Sequence, residues 1–226
     1  MAIAGDGWEL VIFDNDGVLV DSERIANAVL ADLLTGLGHP TTVAESIDRY
    51  LGGTIGRARQ LVEDAAGTSL PADFEDRYHA ELFARFPREL TAVRGAAAAV
   101  DAVVAAGVPV CVASSGEPDR IRRSLSLTGL AERFTGRVYS AAEVAHGKPA
   151  PDLFLHAAAS MGADPARTAV IEDSPLGVAA AGAAGMTAFG YCRLTPCTRL
   201  AAAHTTFRDM AELPKLLGLL RERCQP

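Results

Sequence analysis

Short apolar runs alternate with amphipathic helical segments along much of the chain, and this alternation predicts an α/β protein. The runs that we interpret as strands are Glu9–Phe13, Val108–Ala113, Val138–Tyr139, Ala169–Ile171, Thr187–Phe189 and Thr205–Phe207. The helices predicted between and after them span residues 95–106, 151–161, 174–184 and 213–223, and one more begins at Pro118. Strands that alternate with helices form parallel sheets covered on both faces. We therefore predict a Rossmann-like, doubly wound parallel sheet.

One stretch breaks this alternation, because residues 22–91 carry helical patterns but no convincing strand. Its first helix has apolar residues at helical spacing over 26–37, and Gly38 follows where a C-terminal cap belongs. Further helical segments, separated by Gly and Pro, are Glu45–Tyr50, Gly56–Ala66 and Asp73–Phe86. We predict an α/β core domain of residues 1–21 and 92–226, with residues 22–91 inserted as an all-helical cap domain.

Composition and charge narrow the choice of partner. The chain has 226 residues, of which 49% are hydrophobic and 22% charged, as expected of a globular protein. A net charge of −7 does not favour binding to nucleic acid or to an anionic membrane. We found no apolar run long enough to span a membrane and no secretory signal at the start of the sequence. We expect a cytoplasmic protein with neither of these partners, and the sequence leaves its oligomeric state open.

Four cysteines, Cys111, Cys192, Cys197 and Cys224, have neither the spacing of a metal site nor that of a small disulfide-rich domain. We expect them to be buried or free thiols in a reducing compartment.

Reactive side chains follow directly after three of the predicted strands. The pairs are Asp14 with Asp16, Ser114 with Ser115, and Glu172 with Asp173. A lysine, Lys148, lies in the loop Gly147-Lys148-Pro149, although only two of the 21 basic residues in the chain are lysines. Because the carboxyl ends of parallel strands meet at one edge of the sheet, these groups are expected to converge there.

The combination of these groups is typical of phosphoryl transfer. Carboxylates from two strands suit a hard cation with oxygen ligands, and Mg²⁺ fits best. Hydroxyl groups beside a helix N-terminus suit phosphate oxygens. A lysine supplies compact positive charge to a transferring phosphoryl group. Positioning and charge neutralisation dominate the catalysis of this reaction.

Four segments, in this order and spacing, resemble the motifs of the haloacid dehalogenase superfamily. The first is residues 14–22, Asp-Asn-Asp-Gly-Val-Leu-Val-Asp-Ser, and the second contains Ser114. The third is Lys148 in Gly-Lys-Pro-Ala-Pro-Asp, and the fourth is Ile-Glu-Asp-Ser-Pro-Leu-Gly-Val at 171–178. The helical insertion is similar to the small cap of subfamily I. The chain most resembles the branch of β-phosphoglucomutase-like proteins and sugar-phosphate phosphatases.

The resemblance implies a role for each catalytic candidate. Asp14 would be the nucleophile that forms an aspartyl-phosphate. Asp16 would protonate the leaving alcohol and then deprotonate the attacking water. Ser114 with its nearby backbone would bind the phosphoryl group, and Ser115 is a further candidate for this contact. Lys148 would neutralise charge between the phosphoryl group and Asp14.

The resemblance also implies a metal site. Mg²⁺ would be held by the Asp14 carboxylate, the Asp16 backbone carbonyl and Asp173, with Glu172 bound directly or through water. The expected enzyme is a Mg²⁺-dependent phosphatase that hydrolyses a small phosphorylated metabolite, such as a sugar or polyol phosphate.

Three other functions would use some of the same residues. A phosphoglucomutase-like mutase must hold a second phosphate, but Ala26 stands near the place of a histidine in those enzymes, and Glu117 would repel the phosphate. A dehalogenase resembling this family lacks the second aspartate, whereas Asp16 is present here. A phospho-accepting signalling domain has about half this length and no helical insertion. These features favour hydrolysis, with the mutase as the main alternative.

Overall fold

A computed structural model describes residues 7–51 and 53–219. Its strands are β1 (Leu10–Phe13), β2 (Val110–Ser114), β3 (Val138–Ser140), β4 (Thr168–Glu172), β5 (Thr187–Tyr191) and β6 (Thr205–Phe207). Its helices are α1 (Glu23–Gly36), α2 (Val43–Tyr50), α3 (Ile55–Ala66), α4 (Phe74–Glu89), α5 (Ala96–Ala105), α6 (Pro118–Leu127), α7 (Asp152–Met161), α8 (Pro175–Ala183) and α9 (Leu213–Leu216). The end of the predicted terminal helix, residues 220–223, lies outside the described residues.

The six strands form one parallel sheet in the order β3-β2-β1-β4-β5-β6. The order reverses at β1, which pairs with β2 on one side and β4 on the other. In doubly wound sheets, ligands bind outside the carboxyl ends of the strands at such a reversal. The predicted α/β fold class is therefore confirmed, and its expected binding edge lies at the ends of β1, β2 and β4.

The central strand is buried on both faces, which explains its uninterrupted apolar sequence. All four residues of β1 are fully buried. On one face, Leu10 and Ile12 pack in a core cluster with Leu153 of α7 and Val178 of α8. Strands covered by helices on both sides lose the alternation of polar and apolar residues. This rigid centre fixes the position of the residue that follows Phe13.

The described residues up to Val20 and from Ala92 onward form one compact unit, and Asp21–Thr91 form a second. The second unit is helical, with α1 packed against α2 and α4. Thr42 caps α2 through a reciprocal pair of hydrogen bonds with Glu45, an arrangement that satisfies backbone donors at a helix start. Among the described residues, no helix combines the length and apolar character needed to cross a membrane.

The structure corrects one expectation about the cysteines. Cys192 and Cys197 form a disulfide, because the chain turns back after β5 and brings their Cα atoms to 5.1 Å. A separation of five residues gives no signal of this in the sequence. Cys111 is a buried thiol, as expected, and burial raises its pKa to about 12. Cys224 lies outside the described residues.

Candidate active site

The turn after β1 presents Asp14 and Asp16 at the reversal point of the sheet. The backbone N–H of Asp14 donates to the carbonyl of Ile171 in β4 at 3.0 Å, so the strand ladder holds this residue directly. The chain then folds back, and the Asn15 carbonyl accepts from the N–H groups of Leu19 and Val20. A rigid strand end followed by a tight turn therefore sets the direction of both carboxylates.

Gly17 is required at this turn for two reasons. Its φ is +79°, in the left-handed region that residues with a Cβ adopt at a cost. A Cβ at this position would also overlap the carboxylate of Asp173. The glycine of the first motif therefore lets the acid at the end of β4 approach the turn that carries Asp14 and Asp16.

Lys148 lies between two carboxylates. Its Nζ donates to Asp14 Oδ1 at 2.7 Å and to Glu172 Oε1 at 2.5 Å. All three side chains are almost fully buried, with exposed fractions of 5% for Lys148, 9% for Asp14 and 1% for Glu172. The ammonium also lies 4.9 Å from the centre of the Phe154 ring, on α7. The peptide bond between Lys148 and Pro149 in this loop is cis.

Burial and charge shift the pKa values of this pair. Burial raises the pKa of Asp14 to about 7, against the opposing attraction of Lys148. Burial also disfavours the charged form of Lys148, but the attraction of Asp14 and Glu172 outweighs it and raises the lysine pKa above its usual value. The lysine is therefore a permanent cation, whereas Asp14 depends on nearby positive charge to remain ionised.

The second oxygen of Glu172 is also occupied, since Oε2 accepts from the Ser174 N–H at 2.7 Å. The Ser174 hydroxyl in turn accepts from the Gly177 N–H and caps α8. A Cβ at Gly177 would overlap the Glu172 carboxylate. The start of α8 thus clamps Glu172 in the position that holds Lys148.

The second-motif loop lies beside Asp16. Ser114 is buried, and its Oγ accepts from the Gly116 N–H at 3.1 Å. The buried Ser140 hydroxyl donates to the Gly116 carbonyl at 2.7 Å and fixes the loop. A Cβ built on Gly116 would lie 3.5 Å from Ser114 Oγ and 3.7 Å from Asp16 Oδ2. The structure thus brings Ser114 and Asp16 together around a small space, whereas the Ser115 side chain is exposed.

The oxygen donors at this edge fit a magnesium ion. Asp14 and Asp173 are both buried, and Asp173 packs against the turn at Gly17. Within residues 7–51 and 53–219, no three Asp, Glu, His or Cys side chains form an all-side-chain metal site. Mg²⁺ is usually bound by one or two carboxylates and keeps several waters. The Asp14 and Asp173 carboxylates match that requirement, and the backbone carbonyl of Asp16 belongs to the turn that follows Asp14.

Sequence reasoning missed Arg120, on the first turn of α6. Its Nη2 donates to Asp16 Oδ1 at 2.8 Å, and the two side chains are 17% and 14% exposed. Most basic residues of the chain are arginines, so this arginine carries little signal by type. The sequence signal for a role of Arg120 is its position a few residues after Ser114 of the second motif.

The side chain of Asn15, between the two aspartates of the first motif, contacts α6. Its Nδ2 donates to the Ser124 Oγ at 3.1 Å, and both side chains are fully buried. The hydrogen bond ties the first-motif turn to α6. Asn15 therefore makes a structural contact, whereas its neighbours Asp14 and Asp16 carry the reactive groups.

Known proteins resemble this chain in sequence. The family model for haloacid dehalogenase-like hydrolases matches residues 8–185. The 6-phosphogluconate phosphatase of Escherichia coli is 30% identical over 211 residues, covering 92% of this chain and 94% of that protein. Hexitol phosphatase A of the same organism is 30% identical and covers 77% of this chain and 78% of its own length.

A solved structure extends the likeness to three dimensions. The haloacid dehalogenase family hydrolase of Deinococcus radiodurans, with bound phosphate and sodium, is 33% identical, with a TM-score of 0.79. The alignment covers 96% of this chain and 99% of that one. The chain therefore belongs to the haloacid dehalogenase-like hydrolases and is a phosphatase that hydrolyses phosphate monoesters.

Proposed function

We propose that this protein hydrolyses a sugar or polyol phosphate with Mg²⁺, through a phosphoryl group carried on Asp14. The observation that carries the proposal is the buried contact of 2.7 Å between Asp14 and Lys148 at the reversal point of the sheet. The names of two relatives, a 6-phosphogluconate phosphatase and a hexitol phosphatase, support this class of substrate. The same proposal places the enzyme in the cytoplasm.

In the first step, an Asp14 carboxylate oxygen attacks phosphorus, and the bond from phosphorus to the ester oxygen breaks. Asp16 gives its proton to the departing alkoxide, which leaves as a neutral alcohol. In the second step, Asp16 takes a proton from water as that water attacks the aspartyl-phosphate. The bond from phosphorus to Asp14 breaks, and inorganic phosphate leaves with the original carboxylate restored.

The surrounding residues neutralise and orient the phosphoryl group. We assign Ser114 and the backbone N–H groups of its loop to the phosphoryl oxygens, with Ser115 as a secondary candidate. Lys148 balances charge between those oxygens and Asp14. Glu172 contacts Lys148 through one oxygen and a backbone N–H through the other, and we keep it as a candidate for Mg²⁺, bound directly or through water.

Three groups are assigned to Mg²⁺: the Asp14 and Asp173 carboxylates and the backbone carbonyl of Asp16. When bound, the ion supplies positive charge that favours ionised Asp14 and draws the phosphoryl oxygens towards it. We further propose that residues 22–91 act as a cap domain and select the alcohol part of the substrate, while residues 1–21 and 92–226 form the core.

The proposal is tested by phosphate release from a panel of sugar and polyol phosphates, with and without Mg²⁺. Wild type is compared with Asp14→Asn and with Asp119→Asn, which changes an exposed aspartate in the core unit. We expect the first variant to lose more than about 10³-fold of the activity and the second to retain it. Acid-quenched wild type should also carry phosphate on protein.

Two results would contradict this mechanism. Full activity of Asp14→Asn would remove Asp14 as the nucleophile. Bisphosphate-dependent isomerisation of a sugar phosphate, with no net release of phosphate, would make the protein a mutase.

A further inference from the structure

The two carboxylate oxygens of Asp16 have different surroundings. Oδ1 accepts from Arg120 Nη2 at 2.8 Å, in an ion pair that is largely buried. Oδ2 lies on the side of Gly116, where a Cβ built on that glycine would be 3.7 Å from Oδ2, 3.5 Å from Ser114 Oγ and 3.4 Å from the Ile121 side chain. The proposed function assigns Ser114 and the N–H groups of this loop to the phosphoryl oxygens. One oxygen is thus held by the arginine, while the other lies on the side of the second-motif loop.

The helix that carries Arg120 is itself fixed to the same turn. Ser124 lies four residues after Arg120 on α6, so both side chains point from the same face of the helix. Ser124 Oγ accepts from Asn15 Nδ2 at 3.1 Å and donates to the Ile121 carbonyl at 2.9 Å. Two consecutive residues of the first motif, Asn15 and Asp16, therefore contact one face of α6. The arginine is consequently placed by a rigid element and not by a loop.

We propose that Arg120 is a positioning residue, which holds one oxygen of Asp16 so that the other faces the leaving group of the substrate. The inference rests on the proposed function, because it takes Asp16 as the residue that exchanges the proton. Arg120 acts through Asp16 and does not contact the phosphoryl group. A guanidinium suits this task because its planar donors fix the orientation of a carboxylate, which a point charge does less well.

The competing role for Arg120 is a direct one, as the ligand of a second anionic group on the substrate. The two roles make different predictions. An arginine that binds the substrate directly would lower KM for esters with a second negative charge. Its effect on the rate would not depend on the leaving group. A residue that orients Asp16 matters most when the departing alcohol needs a proton, and least when it leaves readily as an anion.

The experiment measures the first turnover by rapid quench, because this isolates phosphoryl transfer to Asp14 from the later hydrolysis. Two esters are used: the sugar or polyol phosphate that wild type hydrolyses fastest, and p-nitrophenyl phosphate, whose leaving group needs no proton. Arg120→Met is compared with Arg122→Met, which removes the same charge from an exposed ion pair on the same helix. Thermal unfolding of each variant controls for folding.

We expect Arg120→Met to slow the first turnover of the alkyl ester by about 10²-fold and that of p-nitrophenyl phosphate by less than about 5-fold. Arg122→Met should match wild type on both esters. Arg120→Lys should recover part of the lost rate, with the same selectivity for the alkyl ester. In a crystal structure of Arg120→Met, the Asp16 carboxylate should be rotated from its wild-type position.

Equal losses on the two esters, or a loss confined to KM for doubly charged substrates, would overturn the proposal. The same is true of an unmoved Asp16 in the variant crystal structure. If Arg120→Met fails to fold, an equal loss of the first-turnover rate on both esters in Arg120→Lys would also contradict the proposal. Failure of the underlying function is separable, since it appears in wild type as absent phosphate release or in Asp14→Asn as retained activity.

Discussion

Replacing Lys148 with Met tests whether the site depends on charge balance. The substitution keeps an unbranched side chain but removes the ammonium from between Asp14 and Glu172. Both carboxylates contacted Nζ directly, at 2.7 and 2.5 Å, and both are buried. Removing one partner of a buried ion pair costs about 3–5 kcal/mol, because the remaining charges are left without compensation. We expect a loss in the free energy of unfolding within that range near pH 8.

The loss should depend on pH with a definite sign. Burial raises the pKa of Asp14 to about 7 even with Lys148 present, and without the lysine this pKa rises further. A carboxyl group with a raised pKa in the folded state binds its proton more tightly there than in the unfolded chain. Folding stability therefore increases as pH falls through this window, by up to about 1.4 kcal/mol per pH unit for one proton.

Wild type shares part of this gain, so the difference between the two proteins changes less. Between about pH 8 and pH 6, wild type takes up its proton on folding over roughly the lower half of the range, since its Asp14 pKa is about 7, and the variant over a larger part of it. The deficit of Lys148→Met should therefore shrink as the pH falls, by at most about 1.4 kcal/mol over these two units. Phosphate release should meanwhile fall by more than about 10²-fold, as expected when a group that stabilises the transferring phosphoryl is removed.

Urea unfolding in the presence of a chelator measures the stability change. Trp8 is the single tryptophan and reports on the core unit, since its ring packs edge-on against Phe189 and its Nε1 donates to the Leu217 carbonyl. The matched control is Lys215→Met, which alters the other lysine of the chain at an exposed position. A deficit below about 1 kcal/mol, or one that grows as pH falls, would refute the reasoning.

Three further outcomes are expected. Gly177→Ala should reduce phosphate release by about 10²-fold, because its Cβ displaces Glu172, whereas Gly182→Ala on the same helix has open space and should be silent. Ser124→Ala leaves a buried amide donor unsatisfied and should lower the free energy of unfolding by about 1–3 kcal/mol in urea titration. The acid limb of kcat/KM should move to lower pH as Mg²⁺ concentration rises, since the cation favours ionised Asp14; a fixed limb would argue against metal binding there.

The strands and helices were largely predictable from local patterns. Continuous apolar runs predicted β1, β2, β4 and β5, since strands buried on both faces require such runs. The errors lie at element ends. We expected the last helix of the insertion to stop at Phe86, but it continues through Pro87 to Glu89. A proline disfavours a helix interior, yet near the last turn few backbone hydrogen bonds remain for it to disrupt.

The proposed catalytic residues could be selected from sequence because each follows an apolar strand or lies in a loop with a distinctive composition. Their exact partners could not. The sequence suggests Glu172 as a metal ligand, directly or through water, but it does not reveal that the two oxygens of this carboxylate accept from Lys148 and from the Ser174 N–H. The donor that each carboxylate oxygen contacts depends on side-chain rotamers and on the packing of α8. Neither can be predicted from the periodicity of the sequence.

Local patterns along the chain are enough to predict the order of strands and helices, the α/β class and the group of residues that points to phosphoryl transfer. These follow from periodicity and from short motifs, in which the informative residues are neighbours in the chain. Tertiary structure alone decided that Arg120 pairs with Asp16 across 104 positions and that Asn15 meets Ser124 across 109. Such contacts depend on how α6 is rotated and docked against the sheet, and that rotation is set by the packing of the whole core.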